Sequence, residues 1–139
     1  MTDCVFCKIR DGVIPSVKVY EDDRTLAIMD INPLNPGHTL VLTKTHAATL
    51  FDSSPEDLGA AIGAARTIAT AIRKALQPDG LNMLQANGAA AFQSVPHFHL
   101  HLIPRFTDDG KGFDWKLVPG DRAQVTATGE RIRAAIGRA

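Results

Sequence analysis

The chain has 139 residues, of which 45% are hydrophobic and 22% charged, and its 15 basic and 15 acidic side chains cancel to a net charge of zero. This length and composition predict one globular domain and exclude a fibrous, disordered or disulfide-stapled class. The balanced charge supplies no basic field for a nucleic-acid polymer. Neither a secretory signal nor a membrane span is recognisable, so we expect a cytoplasmic protein with no membrane partner.

The first third of the chain has the pattern of a small antiparallel meander. Residues 17–20 alternate between polar and apolar, and the β-prone run 25–31 follows after a polar turn at 21–24, which predicts a hairpin. A loop rich in Pro, Asn and Gly covers 32–37, and a third strand is predicted at 38–43.

A long helix is predicted after the meander. Ser53 or Ser54 can cap it, Pro55 suits its first turn, and Lys74 favours its negative C-terminal end near Gln77. Apolar residues recur at helical spacing and predict one face that packs on the sheet. These residues are Leu58, Ile62, Ala65, Ala69, Ile72 and Leu76.

The last third adds two strands and a second helix. Strands are predicted at 81–85 and 98–103, a polar loop at 107–120, and a C-terminal helix near 122–136. Because strands surround one long helix without regular strand-helix alternation, the fold class is α+β, with an antiparallel sheet of about five strands.

The strand at 98–103 belongs to a segment, bracketed by Pro96 and Pro104, in which three histidines alternate with large apolar residues. Since successive side chains of a strand point to opposite faces, the three imidazoles share one face. The apolar residues point the other way and are expected to pack under the long helix. The histidines are His97, His99 and His101, and the apolar residues are Phe98, Leu100 and Leu102.

Three interpretations of this histidine cluster remain open at the level of the residues. The imidazoles could pack as satisfied polar groups without a further role. Two or three of them could hold a catalytic zinc with one open position. They could also perform phosphate chemistry, because a neutral imidazole is a good nucleophile near pH 7 and its neighbours can bind phosphoryl oxygens.

Residues 93–105 resemble the signature of the histidine-triad (HIT) family, in its Hint-like bacterial-type branch. The resemblance extends upstream to residues 30–33, 36–41, 44–46 and 87–88, and so covers the core 4–105. It implies a HIT-like fold in a single domain spanning 1–139, with a variable tail at 106–139. The loop 87–92 departs from the Hint-like pattern, because it is more apolar than usual.

The resemblance implies roles for the residues of the histidine segment. His99 is expected to attack the alpha-phosphate of a nucleotide and to form a covalent nucleotidyl-histidine intermediate, which water then hydrolyses. His101 is expected to contact the phosphate, and its backbone carbonyl to fix the tautomer of His99. Gln93 and Ser94 are expected to touch the scissile bridge or the leaving group.

The same resemblance implies a nucleotide pocket. Asp30 is expected to accept hydrogen bonds from the ribose hydroxyls, Ile31 to line the base pocket, and Asn87 to lie near the alpha-phosphate. A turn-forming role is the alternative for Asp30. His38 is interpreted as structural, paired with the backbone of its loop.

The two cysteines, Cys4 and Cys7, form a C-x-x-C pattern that could be a redox pair, a zinc half-site or two free thiols. The resemblance implies a structural zinc held by Cys4, Cys7, His46 and His97. A closed Cys2His2 set is structural and does not activate water. The expected attack by His99 requires no catalytic metal. If zinc binds, the leaving group must be protonated by His101, Ser94 or water.

The expected activity is hydrolysis or transfer at the alpha-phosphate of purine nucleoside phosphoramidates, with release of AMP, by a homodimer. One alternative is a dinucleoside polyphosphate hydrolase, because residues 102–105 also resemble the Fhit-like branch. The other is a nucleotide-binding module without turnover. Whether the nucleotide is consumed or only bound separates both hydrolases from the binding module.

Overall fold

The computed structural model describes residues 3–113 and 115–136. Five strands form one sheet, and three α-helices and two short 3-10 helices accompany it. The elements in chain order are α1 (Val5–Arg10), β1 (Lys18–Glu21), β2 (Thr25–Met29), β3 (Thr39–Thr43), η1 (Leu50–Asp52), α2 (Pro55–Leu76), β4 (Gly80–Leu84), η2 (Ala89–Ala91), β5 (His99–Arg105) and α3 (Arg122–Ile136). This arrangement confirms the α+β class.

The sheet is antiparallel throughout, with strand order β1-β2-β3-β5-β4. The β1–β2 hairpin is the one that the sequence predicted. The histidine strand β5 lies between β3 and β4, so its side chains have neighbours on both sides, whereas β4 is an edge strand. Among the described helices, none is both long and apolar enough to cross a membrane.

The long helix α2 begins and ends where its capping residues predict. The Ser54 hydroxyl accepts a hydrogen bond from the Asp57 amide at 3.1 Å, Pro55 occupies the first turn, and Gln77 ends the helix in the left-handed conformation. The predicted apolar face is partly wrong, because Ile62 and Leu76 are exposed. The small residues Ala61 and Ala64 are buried in their place, since they allow the helix to approach the sheet closely.

The two faces of the sheet have separate cores. On one face, α2 packs on a cluster that contains Phe98, Leu100 and Leu102, as the alternation predicted. On the other face, α1 contributes Phe6 to a smaller cluster of buried strand residues. That cluster contains Phe6, Leu26, Ile28, Leu40 and Leu42. The histidines project on this second face.

One helix was not predicted, and the strand boundaries differ from the prediction by one or two residues. Residues 5–10 form α1, to which the sequence assigned no element; the Cys4 sulfur accepts from the Cys7 amide at its start. Strand β2 ends at Met29, because the Asp30 carboxylate accepts a hydrogen bond from the Asn32 amide and turns the chain. Strand β5 continues through Pro104. Its pairing with β3 ends at Leu102, and beyond that residue it is paired with β4 alone, so the missing N–H of Pro104 breaks no ladder with β3.

Candidate active site

The register of β3 and β5 places two of the three histidines on the face opposite α2. His99 lies across from Leu42 and His101 across from Leu40, in a continuous antiparallel ladder. The rings of His99 and His101 are 4.9 Å apart between centroids. His97 precedes the strand and turns toward the N-terminal helix, so the three imidazoles do not form one uniform row.

His99 is buried and has one ring nitrogen occupied. Its Nδ1 lies 2.7 Å from the backbone carbonyl of His97, which requires a proton on Nδ1 and leaves a lone pair on Nε2. The expectation that the His101 carbonyl fixes this tautomer is therefore wrong, because the carbonyl that faces the ring belongs to His97, two residues upstream. Burial lowers the pKa of His99, so its ring is neutral at neutral pH.

His101 contacts a histidine outside the triad. Its Nδ1 lies 2.9 Å from Nε2 of His38, which in turn lies 3.3 Å from a carboxylate oxygen of Asp30. Burial, with the neighbouring His99 and His38, lowers the pKa of His101 to about 4. His38 does pair with its loop, as predicted, because its Nδ1 accepts a hydrogen bond from the Leu34 amide at 2.9 Å. Its second contact, with His101, was missed.

Four side chains from distant parts of the sequence converge beside the strand, and they are Cys4, Cys7, His46 and His97. The Nδ1 atoms of His46 and His97 are 3.1 Å apart. The Cys4 sulfur lies 3.3 Å from Nδ1 of His97, and the Cys7 sulfur lies 3.4 Å from Nδ1 of His46 and 3.7 Å from that of His97. Ligand atoms on a tetrahedral zinc are separated by about 3.3–3.6 Å, given its bond lengths to nitrogen and sulfur. The donor set and its spacing therefore fit a zinc ion.

His97 is oriented for coordination rather than for phosphate contact. Its Nε2 lies 2.6 Å from the Thr43 carbonyl and donates to it, so Nδ1 carries the lone pair and faces the sulfurs. The side chain is almost fully buried. Phe6 of α1 packs edge-on against both His97 and His99, which joins the cysteine-bearing helix to the histidine strand.

Asp30 and Ile31 follow β2 at the edge of the site. Asp30 divides its carboxylate between the Asn32 amide, at 2.8 Å, and His38. The turn-forming role weighed for Asp30 is thus present together with its position beside the histidines. Ile31 is 87% exposed and offers an open apolar surface.

Gln93 joins two loops through its amide group. Its nitrogen donates to the carbonyls of Ala48 and Val95, at 2.6 and 3.1 Å, and its oxygen accepts from the Gly88 amide at 2.8 Å. Ser94 is exposed beside it. Gln93 therefore positions Ser94 and the start of the histidine segment.

Asn87 is held by neighbouring groups in a similar way. Its amide exchanges two hydrogen bonds with Gln85, at 2.7 and 2.8 Å, and its oxygen also accepts from the Leu50 amide at 2.7 Å. The amides of Asn87 and Gln93 thus tie the loop before β5 to the loop before α2.

A cavity of about 420 Å³ opens between the metal-type cluster and Ser94. It is lined by Asp3, Cys4, Val5, His46, Ala48, Ser94, Val95 and Pro96. Its wall combines the exposed Ser94 with the outer side of the four-residue cluster.

Two relatives are similar to this chain over most of its length. Protein hit of Bacillus subtilis is 48% identical over 120 residues, which cover 86% of this chain and 83% of the relative. The protein named adenosine 5'-monophosphoramidase hnt1, of Schizosaccharomyces pombe, is 38% identical over 134 residues, which cover 96% of this chain and 98% of the relative.

Solved structures agree with these sequence matches. SMU.412c of Streptococcus mutans superposes with a TM-score of 0.93 at 38% identity, covering 98% of this chain and 87% of that one. A zinc-bound histidine triad family protein of Mycobacterium smegmatis superposes with a TM-score of 0.77, also at 38% identity, covering 96% and 98%. The sequence model of the HIT domain matches residues 11–108. The chain belongs to the HIT domain family.

Proposed function

We propose that the chain is a Hint-like nucleotide hydrolase or transferase that cleaves purine nucleoside phosphoramidates and releases AMP through a covalent intermediate on His99. The observation that carries the proposal is the 2.7 Å hydrogen bond from His99 Nδ1 to the His97 carbonyl, which leaves the Nε2 lone pair for attack. The fission yeast relative whose name specifies adenosine 5'-monophosphoramidase supports this choice of substrate.

The reaction has two displacements at phosphorus. Nε2 of His99 forms a bond to the alpha-phosphate, the phosphorus–nitrogen bond breaks, and the amine leaves with a proton from water near Ser94. Water then attacks the same phosphorus, gives up a proton, and releases AMP from His99. His101 binds a phosphoryl oxygen, while Gln93 positions Ser94 at the leaving-group side.

The nucleoside is assigned to residues around the end of β2. The Asp30 carboxylate accepts hydrogen bonds from the ribose hydroxyls, using lone pairs that are not engaged by the Asn32 amide. Ile31 lies against the purine. Asn87 holds the loop that carries Gln93 and Ser94, and this loop lies next to the alpha-phosphate. Arg105 donates to Asp109, Asn82 and the Lys111 carbonyl, so its guanidinium already has partners within the protein.

The proposal also includes a structural zinc on Cys4, Cys7, His46 and His97. The tetrahedral spacing of the four ligand atoms and the zinc-bound relative support it. A closed set of four protein ligands holds the ion away from substrate, so its contribution is to fasten α1 to the histidine segment. Two unpaired thiols at Cys4 and Cys7 suit a reducing compartment such as the cytoplasm.

We assign a homodimer as the working unit. Strand β4 is an edge with Leu81, Met83 and Leu84 partly exposed, and every described residue of α3 is exposed. Contiguous exposed apolar surface in a globular protein marks a site of interaction, and an unpaired edge strand can pair with another chain. A second copy of this chain is the partner that the family suggests.

The first experiment measures AMP release from adenosine 5'-phosphoramidate by the wild type and by a folded His99→Ala variant, at neutral pH. We expect the variant to lose about 10³-fold or more of the rate, because the attacking group is gone. Asp23→Ala, a change at an exposed residue outside the proposed site, serves as the matched control and should keep full activity. Wild type denatured at alkaline pH, where the phosphorus–nitrogen bond to histidine is stable, should carry a nucleotidyl group that mass spectrometry assigns to His99.

Two outcomes would redirect the proposal. If the wild type binds the compound without releasing AMP, dinucleoside polyphosphates are the next substrates to test. If these are not cleaved either, the chain is a nucleotide-binding module. If AMP release survives in His99→Ala, covalent catalysis by this histidine is wrong.

A further inference from the structure

His38 is a buried histidine that the triad pattern does not include. It lies one residue before β3, and its position two residues before Leu40 directs it to the same sheet face as Leu40 and Leu42. Leu40 is paired with His101 across the ladder. The geometry of β3 thus brings His38 to the side of His101 that faces away from His99.

The backbone of its own loop determines which nitrogen of His38 carries the proton. The Leu34 amide donates to Nδ1 at 2.9 Å, so Nδ1 must offer a lone pair. Burial lowers the pKa of His38, which keeps the ring neutral. A neutral ring with an accepting Nδ1 has its proton on Nε2.

The Nε2 proton of His38 in turn fixes His101. Nε2 lies 2.9 Å from Nδ1 of His101, and two nitrogens at this separation share one proton. Since His38 supplies that proton, Nδ1 of His101 accepts. The Asp30 carboxylate, 3.3 Å from the same Nε2, favours the same tautomer of His38. His101 then carries its own proton on Nε2.

His99 and His101 therefore have opposite tautomers although they are two residues apart. Nδ1 of His99 faces a carbonyl and is protonated, whereas Nδ1 of His101 faces an N–H and is not. Nε2 of His99 offers a lone pair that can attack, and Nε2 of His101 carries a proton that it can donate in a hydrogen bond to an anionic oxygen.

We propose that His38 is a positioning residue that holds His101 as an Nε2–H donor, so that His101 binds the phosphoryl oxygen that gains negative charge when His99 attacks. The proposal rests on the function proposed above and deepens it. It transfers no proton: His101 donates one hydrogen bond, which strengthens as the charge develops, and remains neutral.

The decisive measurement is the tautomer of His101, read from the ¹⁵N chemical shifts of the full-length, labelled wild type at neutral pH. A His101→Gln variant assigns the signals. We expect Nδ1 of His101 to be unprotonated and Nε2 protonated, with the opposite pattern in His99. A proton on Nδ1 of His101 would overturn the proposal. This measurement needs no substrate, so it stands or fails separately from the proposed activity.

Two substitutions at His38 connect the tautomer to the rate. His38→Leu removes the N–H that faces His101, whereas His38→Gln places an amide N–H near the same point. We expect His38→Leu to lower kcat for AMP release by about 10- to 100-fold, less than full removal of a charge-stabilising donor, with KM changed by about threefold or less.

We expect His38→Gln to recover most of that rate, because it restores the donor without restoring the ring. Equal losses in folded Leu and Gln variants would overturn the proposal, as would a change confined to KM. If His38→Leu does not fold, the tautomer of His101 in the wild type and the rate of the His38→Gln variant still test the proposal.

Discussion

Each histidine of the triad is defined by the group that its Nδ1 atom faces. In His97 that atom faces two sulfurs, in His99 a backbone carbonyl, and in His101 the Nε2 of His38. Because one ring nitrogen controls the other, three identical residues in one segment become a metal-type ligand, a lone-pair donor and an N–H donor. Residue type alone does not separate these roles.

Gly37 keeps His38 in place, and its replacement tests how tightly the loop is packed. Gly37 has φ of +94°, and a Cβ there would lie 2.5 Å from Leu76 Cδ1 and 2.9 Å from Pro104 Cγ. We expect Gly37→Ala to lower the free energy of unfolding by about 2–4 kcal/mol, because backbone strain and overpacking add. Urea denaturation of the two proteins measures this difference.

Gly12→Ala is the matched control for Gly37→Ala. Gly12 also has a positive φ, of +78°, but its added Cβ would meet no atom within 4 Å. Only the backbone strain then applies, at about 1 kcal/mol. Equal destabilisation by the two changes would contradict close packing of Gly37 against α2 and β5.

At the scale of elements, the sequence predicted most of the fold because hydrophobic periodicity and capping residues act locally. The hairpin, α2 with its Ser54 cap and the two faces of β5 followed from such patterns. The buried face of α2 was less predictable, since alanines carry little periodic signal and Ile62 is exposed. Helix α1 is one and a half turns long, too short for a periodic pattern.

From residue patterns alone, the candidate site was predictable only where its residues share a strand, whereas the resemblance supplied the distant set Cys4, Cys7, His46 and His97. His99 and His101 follow from alternation, but the contact between His38 and His101 joins positions 63 residues apart. Only the register Leu40 with His101 creates it, and one sequence does not reveal a register. The spacing of His38 two residues before Leu40 would have placed it on the histidine face once that pairing was known.

The cluster of Cys4, Cys7, His46 and His97 joins α1 to the sheet, so treatment with a chelator tests that element. If zinc binds there, a strong chelator should lower the melting temperature by about 10 °C or more, since the ion binds the folded chain preferentially. Below that temperature, AMP release should continue, because the ion does not contact substrate. Calorimetry and the AMP assay, with and without chelator, measure both effects.

Cys7→Ser provides the comparison for this test. The variant lacks one ligand, so its melting temperature should already be lowered and should change little with chelator. Loss of AMP release in chelated protein that is still folded would instead assign the metal a part in the chemistry.

At the scale of the whole molecule, the C-terminal segment stands apart from the domain core. Every described residue of α3 is exposed, and the stretch before it exposes Trp115, Leu117 and Val118. One side of α3 carries Val125, Ile132 and Ile136 at helical spacing. An amphipathic helix whose described residues are all exposed is stabilised when a second copy buries its apolar side.

A charge on that apolar side of α3 should weaken the homodimer, whereas the same charge on the opposite side should not. Ile132→Glu buries a carboxylate in the assembly, and we expect it to raise the dimer dissociation constant about tenfold or more. Ala127→Glu introduces an equal charge about half a turn away around the helix and should leave the constant unchanged. Sedimentation velocity over a dilution series measures the dissociation constants. A monomeric wild type at all concentrations would refute the homodimer, and equal behaviour of the two variants would remove α3 from its interface.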